Sequence, residues 1–151
     1  MELARHAWLF LLLGAFLNVW LIRRRIRPII HKHPELAAGY RRLVRGTALW
    51  TSLPWLVMGV GCELGSVPSF VAYLFPATGG PFVWVFWGVV YGELLFLCYW
   101  SVWNGGGETL VRYPGITNFH APTPHLMKQQ LAWFAGTGLV WSTTFLIALG
   151  N

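Results

Sequence analysis

Of 151 residues, 56% are apolar, 17% aromatic and only 11% charged, and the formal net charge is +6. Soluble domains carry about 25% charged residues, so this composition excludes an ordinary soluble globule and points to a lipid bilayer. The eleven Lys and Arg, set against five Glu and no Asp, sit between apolar runs, with no aromatic-basic surface module beside them; anionic lipid headgroups are therefore the expected partner of that charge, and nucleic acid is not.

The first expected element is a transmembrane helix over about 6–22, close to the minimum length for a hydrocarbon core of about 30 Å. It runs directly into Arg23-Arg24-Arg25 with no small-residue cleavage site, which reads as a stop at the membrane surface and not as a secretory leader. Eight of the eleven Lys and Arg fall between Arg23 and Arg45. Arg23, Arg24, Arg25, Arg27, Arg41, Arg42 and Arg45 are the candidate contacts to headgroup phosphates.

His33-Pro34-Glu35 is a helix start, with Pro in the first turn and an acid beside it. From there Leu36, Tyr40, Leu43 and Thr47 share one face while Arg41, Arg42 and Arg45 point elsewhere, so an amphipathic extension over 34–46 is expected to rise from the surface into a second span, about 47–62. Pro54 lies inside that span; it cannot donate to the Trp50 carbonyl, and a kink is expected there.

The segment 66–76 is apolar but too short to span, and the expectation is a short interfacial or re-entrant helix covering the end of the bundle. A third span over 81–103 opens at Gly79-Gly80-Pro81 and is closed by Gly105-Gly106-Gly107. A fourth, over 124–149, opens at Thr123-Pro124. The first loop carries eight Lys and Arg, the second none, and the third one, with Lys128 just after it. Positive charge stays on the cytoplasmic side. The expected fold is thus an all-α integral membrane protein: four transmembrane helices in one bundle forming a single domain, 1–151, in the cytoplasmic (inner) membrane. The basic first loop is cytoplasmic and both termini are outside.

Glu93 is the sharpest chemical feature. It falls mid-span, where a carboxyl must be neutral or paired and must face the bundle. Asn18, Thr137, Ser142, Thr143 and the carbonyl freed by Pro54 are its candidate partners, and Glu93 with Asn18 forms the candidate intramembrane polar site. Interhelical glue is the plainer alternative to a proton or cation site. Gly88 with Gly92, and Ala132 with Gly136, are small-xxx-small pairs that permit close helix approach within or between chains.

On the cytoplasmic side Glu108, Arg112, His120 and His125 form a candidate polar cluster, with Glu108 expected to pair with Arg112 four residues on. The His-x-His and His-x4-His spacings are too unspecific for zinc, and no histidine lies deep enough to hold haem between spans. No metal or cofactor is expected. Cys62 and Cys98 fall toward opposite faces, too far apart to bridge, and the Gly105-Gly106-Gly107-Glu108-Thr109 run lacks the Lys of a phosphate-binding loop.

The leading functional expectation is a structural or accessory subunit of a membrane complex, with a protein partner or a second copy of itself. Alternatives are an oligomeric ion- or proton-coupled transporter or channel using Glu93, and a membrane enzyme acting on lipid at the cytoplasmic face. The thin chemical inventory argues against an enzyme.

Overall fold

A computed structural model describes residues 5–76, 80–119 and 121–150; Gly79 of the expected helix start and His120 of the polar cluster lie outside the described residues. The chain is all-helical, with no strand among the described residues. Helices α1 (Trp8–Lys32) and α2 (Ala37–Glu63) form one antiparallel hairpin, and α3 (Pro81–Val102) and α5 (Pro124–Gly150) form the other, joined through the short α4 (Gly106–Arg112). Contacts between α2 and α3 unite the hairpins, so the spatial order follows the chain.

Local chemistry explains the boundaries. α1 ends with His31 and Lys32 in its last turn, cations at the negative end of the helix dipole, and the His33 N–H closes it onto the Ile29 carbonyl. Pro34 starts a 3-10 turn (Pro34–Leu36) that leads into α2, with Glu35 in its first turn. α2 then runs unbroken through Pro54, which is buried, and Thr51 Oγ1 donates to the Thr47 carbonyl (2.8 Å) in the turn before it. Pro81 opens α3 at its first turn.

The three consecutive glycines after α3 have separate reasons. Gly105 turns the chain at φ +73°, a left-handed conformation that favours glycine. A Cβ on Gly106 would lie 2.6 Å from the Trp100 ring, and one on Gly107 would lie 3.1 Å from the Pro124 carbonyl oxygen. The run therefore ends α3 and also lets α4 seat tightly between α3 and the start of α5.

The core is in two pieces. At the basic end, Ile22 and Ile26 of α1, Tyr40 and Val44 of α2, Leu110 of α4, Ile116, and Met127 and Leu131 of α5 pack together. At the opposite end, Met58, Cys62, Val67, Tyr73, Val83 and Phe86 form the second cluster. There the segment 66–76 folds over the bundle as a 3-10 turn (Phe70–Leu74). Tyr73, fully buried, donates from its hydroxyl to the Met58 carbonyl (3.1 Å), while Trp87 Nε1 donates to the Tyr73 carbonyl (2.9 Å). At the same end Glu63 gathers the start of α1: His6 Nδ1 lies 3.0 Å from its carboxylate, Trp8 Nε1 3.4 Å, and Arg5 donates to its carbonyl (3.1 Å).

Two helices, Pro81–Val102 and Pro124–Ala148, are long and apolar enough to cross a membrane, and only 11% of each apolar stretch is buried within the chain. Trp133 and Trp141 of α5 are 76% and 71% exposed. Such exposure is unlike the core helix of a soluble domain, whose apolar stripe is covered.

Candidate functional site

Glu93 is half-buried in the middle of α3, and its Oε1 is fully enclosed with no hydrogen-bond partner. Ser52 Oγ on α2 is in the same condition. The Trp50–Phe96 stack (centroids 4.7 Å apart) and the Trp55–Phe86 contact (6.4 Å) bracket the stretch of α2 and α3 that contains both. A buried polar atom without a partner costs about 1–3 kcal/mol; Gln130 Oε1 near the start of α5 is in the same condition, and Ser52 with Glu93 puts two of these three atoms in one stretch of the bundle.

None of the expected partners bonds the enclosed oxygen of Glu93. Thr143 Oγ1 bonds the Tyr91 hydroxyl at 2.8 Å. Thr137 is exposed. Asn18 is exposed on α1, a helix that packs against α2 and makes no extensive contact with α3. The structure thus does not join Glu93 and Asn18 into one polar site, because the hairpin pairing of α1 with α2 keeps α1 away from α3.

Beside Glu93, Gly88 and Gly92 lie exposed, and a Cβ on either would meet nothing within 4 Å; a Cβ on the half-buried Gly136 of α5 would also meet nothing. Within this chain the small residues serve no helix crossing. The close α3–α5 approach uses Gly138 instead, packed against Leu94.

The basic stretch divides into distinct roles. Arg24 lies over the Trp20 ring, 5.7 Å from its centroid. Arg25 donates to the carbonyls of Gly115 (3.4 Å) and Thr117 (3.2 Å), tying the loop before α5 to α1. Arg23 and Arg27 face Arg41 and Arg45 across a groove between α1 and α2, while Arg42 is exposed outside it.

The candidate polar cluster does not assemble as its spacing suggests. Glu108 and Arg112 share α4, yet Glu108 takes Lys128 of α5 at 2.6 Å and Arg112 lies over the Tyr113 ring, 5.9 Å from its centroid. The Lys128 hydrogen bond, helped by a backbone bond, holds the Glu108 carboxyl below the usual carboxylate range. His125 Nε2 is 3.1 Å from Gln129 Nε2 one turn on. Among the described residues no group of three His, Cys, Asp or Glu could hold a metal ion.

Sequence reasoning missed the contacts that close the basic end. The Tyr40 hydroxyl donates to the Pro114 carbonyl (2.9 Å) and its ring meets Tyr113 edge-on at 5.1 Å, with Gly39 leaving room for the Tyr113 ring. Burial, and the neighbouring Tyr113, push the Tyr40 phenol up, so it remains a donor at neutral pH. A buried Tyr on the apolar face of an amphipathic helix is the signal that pointed there. No known protein family, no curated protein and no solved structure matches this chain.

Proposed function

We propose that this chain is a multi-pass protein of the cytoplasmic (inner) membrane with four spans, its basic end cytoplasmic and both termini outside, and that it serves as an accessory subunit whose α3 docks a helix of another polypeptide. The positive charge gathered at one end of the bundle supports the orientation. The two apolar, exposed helices support the membrane setting. α1 and α2 cross in this reading with shorter apolar stretches, ending at Arg23 and Glu63.

One observation carries the docking role: Gly88 and Gly92 form an open face with nothing against it, next to a carboxyl oxygen that finds no donor in its own chain. In lipid, helices associate through small residues that permit backbone approach and through hydrogen bonds from polar side chains. Both halves of that interaction are present on α3, and neither is used internally. Glu93 is only half-buried, and a rotation of its side chain would bring the carboxyl out to a partner helix with a hydroxyl, amide or basic group opposite.

The test is native mass spectrometry after extraction into native nanodiscs from the source membrane. The wild type is expected in a stoichiometric complex, and Gly88→Leu with Gly92→Leu is expected as a folded, solitary chain. A wild type found alone, carrying only lipid, would overturn the reading.

The partnerless Glu93 oxygen favours one second reading, an oligomeric ion- or proton-coupled carrier. It predicts that Glu93→Gln abolishes flux in proteoliposomes while leaving assembly intact; unchanged flux ends it.

A further inference from the structure

The groove between α1 and α2 at the basic end has a form that dispersed surface charge would not need. Its volume is about 400 Å³, and it is lined by Ile26, Ile30, Val44 and Tyr40 between two arginine walls. Arg23 and Arg27 come from α1; Arg41 and Arg45 come from α2. Each pair is four residues apart and therefore on one face of its helix, where like charges repel. The turn at His33 brings the two faces opposite each other.

Among the described residues these four guanidinium groups have no ion pair and no hydrogen bond to the protein. Glu35 is turned to His33 (3.2 Å) and Glu108 to Lys128, so the nearby carboxylates are already used. Arg25 is occupied by loop carbonyls and Arg24 by Trp20. What remains is a cleft with four uncompensated cations on its rims and an apolar floor. A small inorganic anion would use the rims alone; an amphiphile with a phosphate next to hydrocarbon would use both.

We infer that the groove binds one anionic glycerophospholipid, with its phosphate between the two arginine walls and its glycerol and first acyl carbons on the floor made by Ile26, Ile30 and Val44. This rests on the membrane reading for the source of the lipid, since Arg23 directly follows the first apolar run and so meets the headgroup layer. It does not depend on α3 docking a partner. The site differs from general attraction to a charged leaflet in one respect: Arg23, Arg27, Arg41 and Arg45 form it, and Arg24 and Arg42 do not.

The experiment is native mass spectrometry on the full chain, delipidated in detergent, titrated with dioleoyl phosphatidylglycerol, dioleoyl phosphatidylcholine or glycerol 3-phosphate. One phosphatidylglycerol is expected to bind per chain, at least tenfold more tightly than phosphatidylcholine, and glycerol 3-phosphate is expected not to displace it. At about fivefold per cation, Arg41→Gln with Arg45→Gln weakens binding about 25-fold, and Arg23→Gln with Arg27→Gln does the same from the other wall. The charge-matched pair Arg24→Gln with Arg42→Gln weakens it less than about threefold, as expected for screened charges outside the site.

All these positions are exposed, and retained helicity by circular dichroism confirms that each variant folds. Equal binding of the zwitterionic lipid, displacement by glycerol 3-phosphate, or an equal loss in the Arg24/Arg42 variant would each overturn the site. Gly88→Leu with Gly92→Leu should leave the titration unchanged, so loss of α3 docking and loss of lipid binding are read separately.

Discussion

The two ends of this bundle close on buried tyrosines and the middle does not, although the basic end also holds one enclosed, partnerless oxygen, Gln130 Oε1. Each end buries a tyrosine completely and points its hydroxyl at a backbone carbonyl from another segment: Tyr40 at Pro114 and Tyr73 at Met58. Each end also sets a glycine under a tyrosine, Gly39 beneath Tyr113 and Gly61 beneath Tyr73. Between the two apolar clusters lie the enclosed, partnerless oxygens of Ser52 and Glu93 and the open glycines of α3. The contrast separates what the chain closes from what it leaves open. The ends hold the single chain together, and the middle leaves open glycines and unpaired oxygens that the proposed docking would use.

The sharpest way to break the contrast is to remove an end. Tyr73→Ala deletes a fully buried aromatic and its bond to Met58, and is expected to cost about 4 kcal/mol in reversible unfolding in mixed SDS micelles. Tyr73→Phe isolates the hydroxyl. Burial pushes the Tyr73 phenol up to about 12 from an ordinary value of 10.0. The folded state therefore holds this proton more tightly, and the stability it contributes is complete below pH 10 and is lost as pH rises toward 12. Tyr73→Phe should lack that alkaline limb. A wild type flat from pH 9 to 12 would remove the hydroxyl from the account.

The middle should respond with the opposite sign. Glu93→Leu removes a carboxyl that finds no internal donor, so the isolated chain is expected to gain about 1 kcal/mol in the same assay. A loss of 2 kcal/mol or more would mean that Glu93 supports the fold, and the contrast between ends and middle would fail. Tyr40→Phe is expected to cost about 1 kcal/mol, the net worth of one hydrogen bond.

The parts of this structure legible in the sequence are those decided by neighbours along the chain. Pro34 and Pro81 start helices because a missing N–H and a fixed φ act locally, and Gly105 turns the chain because only its own backbone is involved. The division of labour among the arginines was not legible. Arg23 to Arg27 is one charge run, and whether a given guanidinium meets Trp20, a loop carbonyl or a groove depends on where residues 113–119 return. The same distinction explains Glu108. Spacing offered Arg112, but Gly107 lets Lys128 approach from α5, and a cation from another helix displaced the local one. Asn18 illustrates the limit for depth arguments: being level with Glu93 says nothing about which helices pair.

That Glu108–Lys128 contact permits the finest comparison of the two ends. Lys128 holds the Glu108 carboxyl below its ordinary 4.5, so the charged form is favoured more in the folded chain than in the unfolded one. The stability this contributes is present above pH 4.5 and is lost as pH falls through the lower, folded value. Glu108 is exposed and the contribution is correspondingly small; its dependence on pH, not its size, is the test. Wild type and Glu108→Gln should differ slightly at pH 7 and converge as pH falls through the lowered value of Glu108. Hydrogen-exchange protection in α4 should fall over that range in the wild type alone. The Phe70–Leu74 turn has no acidic group of its own and should hold its protection in both proteins. A difference that stays constant across pH would show that Glu108 seats α4 by shape. Convergence would show that charge ties α4 to α5 at the basic end, a device the tyrosine-held opposite end does without.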